Sequence, residues 1–123
     1  MSDVHEHHDT DKRHLVAIAR SELSIRRARL SAFGPGWTGD SWWDILLVLY
    51  VERSGRGVDS GVLADQAGQS LALADRWLAI LLAEGYVTRC ETLSDDGRAV
   101  FKLSLNGCVK VEQCLAGDGE YRP

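Results

Sequence analysis

Proline is nearly absent, at 2 in 123 residues, and cysteine, phenylalanine and methionine are scarce at 3, 2 and 1. So little proline excludes a polyproline or collagen-like chain and leaves helices free to run. The cysteines, Cys90, Cys108 and Cys114, are odd in number and none stands at CxxC spacing, which argues against a disulfide framework, a zinc site or a thioredoxin-like motif. Cys108 and Cys114, six residues apart on one short helix, are separated by nearly 600° of rotation and about 9 Å of rise, too far to bridge. No cationic segment followed by an apolar one opens the chain, so a reduced, cytoplasmic setting is the expectation. The longest apolar run, Ile45 to Val51, falls far short of the roughly 20 residues of a spanning helix, so no membrane is expected as a partner. Histidine stops at His14, no GxSxG or phosphate loop occurs, and the carboxylates are scattered. Neither an enzyme nor a cofactor is expected.

Basic residues are also in the minority, 14 against 18 acidic, for a net charge of -4. A strongly basic nucleic-acid binder does not look like this overall, but half of the excess lies near the start, where Asp3, Glu6, Asp9 and Asp11 face Lys12 and Arg13. A local basic face elsewhere is compatible with the total. With 45% apolar and 26% charged residues, the composition is that of one ordinary domain.

Three regions are expected: a flexible polar tail over 1–11, a single domain over 12–117, and a polar end over 118–123. The tail holds His5, His7 and His8 without apolar periodicity, and a solvated tail is the simpler reading than a metal site. From Lys12 to Phe33, Leu15, Ala19, Leu23, Ala28 and Leu30 recur at loose helical spacing beside Arg20, Arg26, Arg27 and Arg29, and Gly34-Pro35-Gly36 stops the helix. Asp40 or Ser41 caps a second helix, from Trp42 to about Arg53, so apolar around its circumference that it should be the buried one. Val58 is expected on a short edge strand, and Asp59 or Ser60 caps a helix from Gly61 to Ala67. Gly68-Gln69-Ser70 breaks it, and Leu71 to Glu84 follows with Ala74, Trp77, Leu78, Leu81 and Leu82 on one stripe. After Gly85 the period changes to 2: strands over 86–91 and 100–105 flank a turn, Asn106-Gly107 punctuates, and a short helix spans Cys108 to Leu115. The fold class is mainly α with a small β-hairpin (α+β): a winged helix-turn-helix with a long N-terminal and a short C-terminal helix.

The segments Ala64-Asp-Gln-Ala-Gly68, Ala74-Asp-Arg-Trp-Leu78, Gly85-Tyr-Val-Thr-Arg89, Asp95-Asp-Gly-Arg98 and Leu105-Asn-Gly107 together resemble the winged helix-turn-helix of MarR-type transcriptional regulators, over about Arg20 to Leu115. The resemblance implies a homodimer joined through its N-terminal and C-terminal helices and binding double-stranded DNA. It places the recognition helix 71–84 in the major groove, half-sites about 34 Å apart, and the wing 92–99 at the minor groove, with Arg98 entering it and Asp95 or Asp96 bracing the guanidinium.

Outside the apolar stripe the candidate DNA-binding residues are Gln69, Ser70, Ala72, Asp75, Arg76 and Arg98. Gln69 and Ser70 can donate to phosphate or base edges, Arg76 can hold guanine or phosphate in bidentate fashion, and Asp75 can accept from cytosine N4. Against this, Arg76 could pair with Asp75 or lie over Trp77, and Ala72 and Ala79 offer little to read. Leu73 stands where such helices usually carry threonine. An alternative is therefore a winged-helix module for protein–protein contact or dimerisation with little DNA binding. Nothing points to an effector ligand.

Overall fold

The computed structural model describes the backbone of residues 2–117 and the side chains of 11–117. The polar end expected at 118–123 and the side chains of His5, His7 and His8 lie outside the described residues. Eight elements follow one another: α1 (Ser2–Phe33), α2 (Ser41–Val51), β1 (Val58–Asp59), α3 (Ser60–Gln66), α4 (Leu71–Ala83), β2 (Val87–Arg89), β3 (Val100–Leu103) and α5 (Leu105–Ala116). They group into two compact units, one drawn from residues up to Pro35 with the chain from Gln113 on, the other Gly36–Glu112.

In the larger unit α2, α3 and α4 pack on one another and on a three-stranded antiparallel sheet of order β1-β3-β2. Val58 pairs with Phe101, and Val87 with Leu103. Its core is the apolar face of each element: Trp42, Trp43, Ile45, Leu46 and Leu49 from α2, Leu63 from α3, Ala74, Leu78 and Leu81 from α4, and Val87, Val100 and Phe101 from the strands. The two short helices start on capping side chains. Asp59 accepts from the Val62 amide at 3.0 Å, and Ser70 from the Leu73 amide at 3.1 Å, each satisfying one otherwise orphaned donor. Asp40 occupies the cap position of α2 but makes no side-chain cap bond.

Trp37, half-buried in the α1–α2 loop, ties that loop to the rest of the unit. Its ring lies 5.2 Å from Trp42, 6.0 Å from Trp77 in a stacked arrangement, and 5.8 Å from Tyr86. At the other side, Tyr50 donates to the Glu112 carboxylate at 2.9 Å, while the Arg53 guanidinium sits 4.2 Å over the Tyr50 ring. That bond to Glu112, aided by burial, raises the phenol above its ordinary value.

Two helix starts differ from expectation. α5 begins at Leu105, three residues before Cys108, because Ser104 caps it: its hydroxyl accepts from Gly107, and the Cys108 amide bonds its carbonyl. Asn106-Gly107 is thus the first turn of the helix and not punctuation, and Gly107 is there for room, since a Cβ would strike the Tyr86 carbonyl. α1 begins at Ser2, ten residues ahead of Lys12, because helical backbone bonding continues where no apolar stripe marks it.

In the smaller unit the stripe read on α1 is largely uncovered. Ala28 and Phe33 are buried, but Leu15, Val16, Ile18, Leu23 and Leu30 are exposed. No helix among the described residues is long and apolar enough to cross a membrane.

Candidate nucleic-acid interface

α3, the turn Ala67–Ser70 and α4 form the helix-turn-helix. α4 buries Ala74, Leu78 and Leu81 and turns Leu71, Ala72, Asp75, Arg76 and Ala79 outward. These residues follow helical spacing, so they make one continuous strip opposite the core. Arg76 has no hydrogen bond, ion pair or ring contact among the described residues, and Asp75 has none either. The guanidinium is therefore not held by Asp75 or by Trp77.

The remaining candidates have partners within the fold. Ser70 uses its oxygen as the α4 cap, which leaves its hydroxyl proton to donate outward. Gln69 turns inward: its amide nitrogen donates to the Ser41 carbonyl at 3.0 Å and its amide oxygen is buried with no partner among the described residues. It ties the turn to the start of α2.

At the wing, Ser94 closes the hairpin tip. Its amide donates to the Arg98 carbonyl, its hydroxyl accepts from the Arg98 amide at 3.0 Å, and its carbonyl accepts from Gly97. The Arg98 guanidinium does not lean on Asp95 or Asp96, which are exposed and form no ion pair among the described residues. It reaches Asp59 instead, at 3.8 Å. Gly61 makes the room, since a Cβ there would stand 2.6 Å from the Arg98 nitrogen. Asp59 therefore serves two elements, as cap of α3 and as anchor of the wing, and with its 15% exposed side chain it restrains an arginine that remains 57% exposed. Sequence reasoning found only the cap, because nothing local links residues 39 positions apart. Behind the wing, Arg56, Asp59, Cys90, Leu93, Asp95 and Val100 line a groove of about 660 Å³.

Across the strip and wing, exposed Arg76, Arg89 and Arg98 face exposed Asp75, Asp95 and Asp96, so the surface is close to neutral. Among the described residues no group of three or more His, Cys, Asp or Glu side chains could hold a metal ion.

No family model matches the chain, and no curated protein does. Solved structures match it well. The multiple antibiotic-resistance repressor of Listeria monocytogenes superposes with a TM-score of 0.74 at 18% identity, over 97% of this chain and 76% of that one. A MepR mutant from Staphylococcus aureus, bound to an oligodeoxyribonucleotide, gives 0.68 at 13% identity over 90% of this chain and 77% of its own. A MarR-family regulator from Silicibacter pomeroyi gives 0.60 at 20% identity over 81% of this chain, which spans 62% of that regulator's length. The chain has the MarR-type winged-helix fold. In that fold α4 is the second helix of the helix-turn-helix, and 92–99 is the connection between β2 and β3.

Proposed function

We propose that the protein is a dimeric, bacterial DNA-binding transcriptional regulator of the cytoplasm, with α4 in the major groove and the wing at the minor groove. The observation that carries this reading is Arg76: an arginine without a partner among the described residues, central on the outward strip of α4, in a fold shared with regulators of which one is bound to an oligonucleotide. Ser70 donates to phosphate, Ala72, Asp75 and Arg76 face the bases, and Arg98 reaches the minor groove from its anchor on Asp59. Gln69 acts indirectly, by holding the turn.

Dimerisation is supported by uncovered apolar side chains: Leu15, Val16, Ile18, Leu23 and Leu30 on α1, and Leu105, Val109 and Leu115 on α5. Left in water these side chains add to the exposed apolar surface, and a second copy would cover it. Two protomers also double the number of DNA contacts, which a nearly neutral reading surface needs.

A protein–protein module is the second reading, favoured by the equal numbers of arginine and aspartate on the face and by exposed Leu71. Fluorescence anisotropy separates the two. Labelled duplexes, one random and one from the DNA upstream of the coding sequence, are titrated at two salt concentrations. Salt-sensitive binding to the upstream duplex that Arg76→Ala abolishes supports the regulator. A folded dimer that binds neither duplex at low salt supports the module.

A further inference from the structure

The front of α4 is apolar where a reading helix is usually polar. Leu71, directly after the Ser70 cap, is 51% exposed, and Ala72 beside it is exposed too. Residues at the N-terminal end of a recognition helix are those that reach base edges. Neither side chain can donate or accept a hydrogen bond, and the one apolar feature on the major-groove edge is the thymine C5-methyl group. Adenine calls for an asparagine or glutamine, and the one near the strip, Gln69, has its amide on Ser41. Guanine calls for arginine or lysine, and on α4 that is Arg76 alone. Its neighbour Asp75 accepts only, so it is repelled by the acceptors of guanine and thymine and satisfied by the amino group of cytosine or adenine, of which cytosine is the one paired with the guanine that Arg76 takes.

Taken with the regulator reading, on which this rests, we infer that each half-site sets thymine against Leu71 and Ala72 with a G·C pair a few base pairs away. Leu71 and Ala72 take the thymine methyl groups, Arg76 takes the guanine, and Asp75 faces the cytosine. Five residues from Leu71 to Arg76 rise about 7.5 Å along the helix, so with α4 lying in the groove the two contacts fall within a few base pairs of each other.

The test begins with selection from a library of random 30-base-pair duplexes, followed by anisotropy on the enriched duplex. Two chemical probes are then built into it: uracil for thymine, which removes only the methyl group, and 7-deazaguanine, which removes the N7 acceptor. The expected result is a loss of about fourfold per methyl removed, the worth of one buried methyl group. The guanine change weakens binding about tenfold. Leu71→Ser becomes indifferent to uracil, and Arg76→Ala becomes indifferent to 7-deazaguanine. Both side chains are exposed and neither is hydrogen-bonded among the described residues, so both variants are expected to fold, as circular dichroism verifies. Enriched duplexes that bind equally with uracil, or whose guanine preference survives in Arg76→Ala, overturn the assignment while leaving the regulator standing. Failure of the wild-type protein to enrich any sequence overturns the regulator reading itself.

Discussion

Replacing Asp59 tests whether one carboxylate holds both α3 and the wing. As cap it accepts from the Val62 amide at 3.0 Å, and as anchor it lies 3.8 Å from Arg98. Removing a cap of this kind costs about 1 kcal/mol. The ion pair is weaker: its distance is near the limit and the arginine is more than half exposed, so its worth is at most about 0.5 kcal/mol at low salt. Asp59→Ala should therefore lower stability by about 1.5 kcal/mol, a fall of roughly 5 °C in Tm for a chain of this size. Asp59→Asn keeps the capping oxygen and should lose only the smaller part. Gly61→Ala gives a second handle on the ion pair, since its Cβ would stand 2.6 Å from the guanidinium nitrogen; it would also press on the capping oxygen of Asp59, at 3.2 Å, so its own loss of stability reports both roles and only the coupling is read from it. Urea unfolding of Asp59→Asn, Arg98→Ala and the double variant measures the coupling, predicted at about 0.3–0.5 kcal/mol in low salt and absent in the Gly61→Ala background. Asp59→Asn as damaging as Asp59→Ala, or coupling that survives Gly61→Ala, refutes the dual role.

Three further outcomes follow from the same geometry. Gly107→Ala drives a Cβ into the Tyr86 carbonyl, which accepts from Ser104, and should cost about 3 kcal/mol by urea unfolding, against near-neutrality for Asn106→Ala at the exposed position beside it. Trp37→Ala removes the ring shared by Trp42, Trp77 and Tyr86 and should lower stability by about 2 kcal/mol, read as a drop in urea midpoint without loss of helical signal. The Tyr50 phenol is raised by its bond to Glu112, so that bond's stabilisation is complete below the unfolded phenol's value of about 10 and disappears as pH rises through the higher folded value. Between pH 8 and pH 11 the wild-type midpoint should therefore fall further than that of Tyr50→Phe; equal falls would sink the claim.

What the sequence makes legible is what is local. The stripe on α4, the apolar wrap of α2, the cap of α3 at one of the two positions offered, Asp59, and the change of period after Gly85 all depend on residues a few positions apart, and the structure has each of them, whereas the capping role of Ser70 shows only in the structure. What stays hidden depends on distant partners. Arg98 lies beside Asp95 and Asp96 in the chain, yet its partner is Asp59, reached because β1 and the wing strand β3 are paired. Gln69 reads as a surface amide in a turn until α2 brings the Ser41 carbonyl to it. Asn106-Gly107 reads as a break because glycine is a poor helix former, and the close approach of the Tyr86 backbone explains why glycine is nonetheless there. The α1 stripe is legible as a helix by its spacing, but spacing alone does not say what surface covers it.

Whether the outward strip of α4 meets DNA is read out by backbone amide shifts. A uniformly nitrogen-15-labelled sample is titrated with the duplex selected by binding, and the residues whose signals move are mapped. The largest shifts are expected at Ala72, Asp75, Arg76 and Ala79 with a second group over 92–99, and small shifts along α1. Shifts confined to α1 and α5, or none at saturating duplex with the dimer intact, would contradict contact between the strip and DNA.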